Sequence, residues 1–375
     1  VYFPCKDHPS DEPNEGVDMF ITVPENLVVA GPGLLKDVVK KKNKKTYHWK
    51  TNYTISNYCT VFNIGKYAVV SKDYTTIDGT VVPIQFYVLE EDSSFAPKII
   101  ELKARDTKIL EKYFGEYPWA KEKIGIAAVP NSGMEHQTMI TFQNKFNYTK
   151  IGVHDYSANL YHEYGHEWFA NKVTNKDWAH MWIQEGITTY SEALIHYELG
   201  GQEAYDEIIS RHKRNTRNKK PMVGGEELSE EEAYAGRDIY AKGSFFMHSL
   251  RYVLGDEIFL PTLKKLATDP RYTYDNFVTT KDVEELFSTA SKQDLKPFFN
   301  FYVYTNEVLD ISVKEVGYQK YQITVNNFFM PLPLDIGPAD KTTRTMVGKE
   351  GIVVSSNGAP QVDPKGHYLK KITIQ

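Results

Sequence analysis

The stretch LYHEYGHEWFANKVT, residues 160–174, sets His162 and His166 four positions apart, with Glu163 directly after the first. On an α-helix, residues four apart lie one above the other on the same face. Two ring nitrogens can then converge on one point at the ~2 Å reach that zinc prefers. Glu163 is turned about 100° from His162, beside such a metal rather than on it, where a carboxylate could take a proton from an activated water. A chance HExxH on a surface helix is the competing reading, so a third ligand is needed: catalytic zinc usually takes three and keeps one position open. Glu185, in WIQEG, follows His166 with 18 residues between them. That spacing lets one helix end, a loop turn at NKVTNKDWAH, and an antiparallel helix return a carboxylate to the same point. Glu192 and His196 lie farther along this second helix and belong to the surroundings. Glu192, on the same face as Glu185, is a candidate acceptor for the second N–H of a ligand histidine and is not counted with the site.

The elements that must position these residues change character twice along the 375-residue chain. Up to about residue 90, bursts such as FITVP, YHWKTNYTISNYCTVFNIGKYAVV and TVVPIQFYVLE, separated by Gly, Pro, Asn and Asp, predict β-strands. After DSSFAP, the segment KIIELKARDTKILEKYFGEYPW has apolar residues at helical spacing and closes on a helix stop. IGIAAVP and TMITFQ read as strands, helices fill about 155–300, and from about 302 the strand pattern returns. The expected fold is α+β and multidomain, with regions 1–91, 92–301 and 302–375.

Composition sets the bounds. Charged residues make up 25% and hydrophobic ones 41%, as in soluble globular chains, and a net charge of −5 argues against a general nucleic-acid binder. The basic run KDVVKKKNKK at 36–45 reads as a solvated hairpin tip, and RHKRNTRNKK at 211–220 as the solvated end of a helix. Two cysteines, Cys5 and Cys59, exclude a disulfide scaffold or a cysteine-held zinc; they could pair with each other, but the expectation is two buried thiols. No apolar run approaches the roughly 20 residues of a membrane span, and VYFPCKDHP is not a basic-then-apolar leader. The compartment is not readable.

HEYGHEWFANKVT followed by WIQEG resembles the zinc core of the aminopeptidase N and leukotriene hydrolase family of gluzincin metallopeptidases, whose pattern is HExxHxWFGN and then NEG. Ala170 stands where the family has Gly and Gln184 where it has Asn. FPCKDHP at 3–9, SGMEH at 132–136 and DIYAKGSFFMHSLRYVLGDEIF resemble further motifs, in the family's order and over essentially the whole chain. The resemblance implies a thermolysin-like α/β catalytic domain over 92–301. Before it would come the C-terminal half of an N-terminal β-domain, and after it a β-sandwich-like domain. It implies one Zn2+ per chain on His162, His166 and Glu185, with Glu163 as general base towards a zinc-activated water and Tyr240 as oxyanion donor. Gly133, Met134, Glu135 and His136 would bind the substrate, Glu135 holding its α-ammonium and Gly133 giving its backbone room. His136 replaces the family's Asn and could charge near neutrality. Asn171 is expected to bond main chain and fix the ligand helix, and Trp168 and Phe169 to pack between the two metal helices.

The expected activity is therefore zinc-dependent removal of the first residue from peptides with a free N-terminus. A thermolysin-like endopeptidase would share the metal core without needing SGMEH, and a non-catalytic peptide-binding relative would be expected to have lost Glu163 or a ligand. In the family a long segment precedes the FPCxDxP motif and a large helical domain follows the last β-region. The resemblance thus implies a shortened chain that keeps zinc, has weaker aminopeptidase activity than a longer form, and has a more open cleft.

Overall fold

Runs of β-branched and aromatic residues broken by turn formers build the first part of the molecule. The computed structural model describes residues 3–143, 146–338 and 341–375, so the first two residues of the 1–91 region lie outside it. Strands Asp18–Pro24, Lys44–Lys50 and Leu34–Lys41 form an antiparallel sheet in that order. The lysine-rich run is its hairpin tip, with Lys41 paired to Lys44 and Lys42 at φ 52° in the turn. A second sheet runs Tyr67–Thr75, Val81–Leu89, Ile124–Val129, Ile140–Gln143; its first pair is antiparallel and the other two are parallel. The sheet therefore continues across residue 91, where the element type changes but the pairing does not break.

Strands in parallel pairs are covered on both faces and so read as unbroken apolar runs; Val82, Ile84, Phe86, Ile124, Ile126 and Ile140 are fully buried. Helix α1, Ala96–Phe114, packs on this sheet and stops at Gly115, whose φ of 86° suits glycine. Lys123 joins the two sheets: its buried Nζ donates to the carbonyls of Gly31 and Gly33 and lies 4.6 Å from the Trp49 ring centre.

The helices follow as α2 (Ala158–Gly165), α3 (Met181–Asn215, kinked where Gly201 takes φ 71°), α4 (Glu230–Tyr234), α5 (Ala241–Leu254), α6 (Asp256–Thr268), α7 (Thr280–Ser291) and α8 (Lys296–Val303). Two close approaches fix α3 against its neighbours. A Cβ at Gly165 would stand 3.0 Å from the Thr188 methyl, and one at Gly186 would stand 2.8 Å from the Gly243 Cα. The second crossing requires glycine on both helices.

From Leu309 onward the chain is strands again, in a four-stranded sheet (Ile352–Ser355, Lys320–Val325, Leu309–Gly317, Lys370–Ile374) and a three-stranded one (Thr343–Val347, Leu332–Gly337, Gln361–Val362). One apolar core runs from Val82 through the helices to Leu369, while a smaller one lies under the first sheet. Cys59 is buried but Cys5 is only half-buried, and neither forms a disulfide. No helix among the described residues is long and apolar enough to cross a membrane.

Candidate metal and peptide site

α2 is short. His166 caps it at φ −63° and ψ −17°, still helical, so His162 and His166 share one face as their spacing requires. α3 returns antiparallel over the Gly165–Thr188 contact and brings Glu185 to them. The His162 and His166 Nε2 atoms are 3.1 Å apart, and Glu185 Oε2 lies 3.5 and 3.3 Å from them.

The far sides of both rings are occupied. His166 Nδ1 is 3.0 Å from the Phe169 carbonyl, which can only accept, so that nitrogen carries the proton. His162 Nδ1 is 2.9 Å from Glu192 Oε1, and the same tautomer follows. With both rings neutral, their Nε2 lone pairs face each other across 3.1 Å. Glu185 Oε2, buried with no hydrogen-bond partner, points to the same place. Three lone pairs converging in a buried pocket repel unless a cation lies among them, and two imidazoles with one carboxylate oxygen is a donor set that suits zinc.

The electrostatics agree. Burial works against the charged form of His162, but Glu185 and Glu192 outweigh it and raise its pKa well above the usual range. Burial would raise Glu185, yet the two histidines push it below the usual carboxylate range. The pocket favours positive charge at its centre.

Glu163 projects beside this point. Burial raises its pKa to about 7, with Glu135 and Glu185 adding to the rise and the two histidines opposing it. Its Oε1 accepts from Asn159 Nδ2 at 3.0 Å. Gly133 abuts it: a Cβ there would stand 2.5 Å from Glu163 Cγ. The glycine therefore makes room for Glu163, a demand on this position that the sequence did not reveal. Carboxylate oxygens of Glu135 and Glu163 and a nitrogen of His166 lie within 4.8 Å of one another, so Glu135 faces the same cavity.

Glu135 is buried, and its Oε1 accepts from Tyr58 OH at 3.0 Å and Gln184 Nε2 at 3.3 Å. Met134 pairs with Thr141 at the end of the second sheet and is 40% exposed. Burial lowers the His136 pKa, with Glu135 opposing, and its buried Nδ1 has no partner.

Asn171 bonds main chain as expected, but on the other side of the cleft. Its Nδ2 donates to the Glu135 carbonyl at 2.8 Å and to Glu167 Oε2 at 3.1 Å. It thus ties the SGMEH segment to the chain just after α2. Glu167, fully buried, also accepts from Trp119 Nε1 and the Thr138 amide. Trp168 meets Tyr117 and Tyr164 edge-on, and Phe169 meets Phe114 edge-on.

Tyr240 OH donates to Glu185 Oε1 at 2.9 Å; the Gly186–Gly243 crossing sets this distance by pinning the start of α5 to α3. The site also includes residues that spacing did not reveal. Tyr234 OH donates to the same Glu185 oxygen, and Tyr58 and Gln184 hold Glu135; no periodicity links these positions. Glu192 was visible as the next carboxylate on the Glu185 face. Chemically, the cavity combines a cation site, a buried carboxylate of raised pKa, a phenol and a second carboxylate. This set suits hydrolysis of a carbonyl compound that carries a positive group.

A model of the Peptidase family M1 domain matches residues 100–302. The chain is 23% identical to the Tricorn protease-interacting factor F2 of Thermoplasma acidophilum, over 95% of this chain and 46% of that protein. It is 24% identical to the mitochondrial Aminopeptidase 2 of Saccharomyces cerevisiae (100% and 40% covered) and 25% identical to the Aminopeptidase N of Lactococcus lactis (80% and 36%). It spans less than half the length of these relatives. Among solved structures, aminopeptidase A of Legionella pneumophila superposes with a TM-score of 0.79 at 19% identity, covering 97% of this chain and 46% of that one. The M1 zinc metallopeptidase of Deinococcus radiodurans superposes at 0.67 with 22% identity, covering 82% and 66%. These superpositions show a shared fold.

Proposed function

The chain belongs to peptidase family M1, and from that premise we propose that it is a zinc aminopeptidase acting on peptides with a free N-terminus. The observation that carries the proposal is the convergence of His162 Nε2, His166 Nε2 and the unpartnered Glu185 Oε2 beside Glu163 and Glu135.

In this reading His162, His166 and Glu185 hold one zinc per chain, which supplies Lewis acidity and a water nucleophile usable at neutral pH. Glu192 and the Phe169 carbonyl fix the two rings so that their Nε2 lone pairs point inward. Glu163 takes the proton from the attacking water and passes it to the leaving amine, a task suited to a carboxylate whose pKa burial has raised to about 7. Tyr240 donates to the carbonyl oxygen as negative charge develops on it. Glu135 receives the substrate's α-ammonium. Tyr58 and Gln184 both bond its Oε1 and leave Oε2 to the ligand. Gly133, Met134 and His136 line the path of the first residue.

The test compares an aminoacyl reporter with its N-acetylated twin, with and without a chelator. Cleavage of the free-amine reporter is expected to exceed that of the twin at least tenfold, to stop on chelation and to return with zinc. Equal cleavage of both would overturn the exopeptidase assignment, and indifference to chelation would overturn the metal.

A further inference from the structure

Two phenols end on one oxygen. Tyr234 OH lies 3.0 Å and Tyr240 OH 2.9 Å from Glu185 Oε1, while the other oxygen of that carboxylate faces the histidine nitrogens. A carboxylate oxygen has two lone pairs, so it accommodates both donors. The tyrosines come from separate elements. Tyr240 precedes α5, which is pinned to α3 at the glycine pair. Tyr234 ends α4, a single turn closed by the Ser229–Glu232 capping box.

A hydroxyl has one hydrogen. When Tyr240 donates to a substrate oxygen, it cannot also donate to Glu185. If it were the sole donor, the metal ligand would lose its outer hydrogen bond at the step where its orientation matters most. We infer that Tyr234 is a positioning residue that keeps Glu185 Oε1 bonded while Tyr240 turns to the substrate. The ligand carboxylate then stays fixed through turnover.

Tyr234 also lines a cavity of about 270 Å³ with Met134, Glu135, Trp178, Met181 and Gln184, so a purely steric role in substrate binding is the alternative. Tyr234→Phe separates the two: the ring still fills its place in the cavity wall, and only the hydrogen bond is lost. Tyr234 is 39% exposed, so the variant should fold; an unchanged circular dichroism spectrum checks this.

The kinetic half of the inference rests on the aminopeptidase reading; the metal half does not. Zinc affinity is measured by chelator competition on the wild type, Tyr234→Phe, Tyr240→Phe and the double variant. Each single variant leaves one donor on Oε1 and should stay within about twofold of wild type, whereas the double should lose about 10- to 100-fold. In turnover, Tyr234→Phe should lower kcat about tenfold with KM within about twofold, and Tyr240→Phe should lower kcat about 100- to 1,000-fold. A zinc affinity of the double equal to the product of the singles, or a Tyr234→Phe effect confined to KM, would overturn the inference. If the wild type cleaved free and N-acetylated reporters alike, the aminopeptidase reading would fail while the zinc series still decided the positioning role.

Discussion

The two flanks of the cleft draw on very different lengths of chain. On the flank proposed to hold the metal, His162 and His166 are one helical turn apart, and Glu185 returns on the next helix. On the flank proposed to receive the amine, Glu135 is held by Tyr58, 77 positions away, and by Gln184, 49 positions away, while Asn171 fixes its carbonyl. The first flank is local geometry repeated on two helices. The second is assembled only after the sheets and helices have packed. The metal flank should therefore retain its function under changes that disable the amine flank, and its chemistry should fail without loss of metal.

The sharpest break of that comparison is Glu163→Gln, which removes the proposed proton carrier and none of the proposed ligands. Turnover is expected to fall about 100- to 10,000-fold with zinc content unchanged by elemental analysis. Wild-type rates would remove Glu163 from its role. Next is Glu135→Gln, which keeps the shape and discards the charge. The free-amine reporter should lose about 10- to 100-fold in kcat/KM, as for a lost charged hydrogen bond, and the N-acetylated twin should lose little. An equal loss on both would show that Glu135 supports the metal flank instead.

The smallest effect lies between the flanks. Ala170 takes φ 151°, a backbone region that suits glycine, and it is buried where the chain leaves His166 for Asn171. Ala170→Gly relieves strain on the order of 1–3 kcal/mol and gives back about 0.5–1 kcal/mol through the more flexible unfolded chain. The net gain of roughly 1 kcal/mol should appear as a higher unfolding midpoint in denaturant. A lower midpoint would mean that the methyl group's packing outweighs the strain.

The same contrast explains what the sequence made legible. Helical spacing at His162 and His166, an antiparallel return to Glu185 and the alternating strands at both ends follow from short-range periodicity, and the structure has them. The change of element type near 91 was legible, but the sheet that crosses it was not, because pairing of Val81–Leu89 with Ile124–Val129 depends on how α1 folds back. The sequence contained nothing to show that Gly133 must clear Glu163, that Asn171 reaches the Glu135 carbonyl, or that burial lowers the His136 pKa. Each depends on contacts between segments far apart in the chain. Glu192 was intermediate: its place on the Glu185 face was readable, but its bond to His162 was not.

The glycine pair at 186 and 243 has a consequence for motion. With backbone against backbone and no side chain to slide past, α3 and the start of α5 have little freedom to shear, so Glu185 and the Tyr240 beside it belong to one cooperative unit. Amide hydrogens around the two glycines should therefore exchange with solvent on a common, slow timescale.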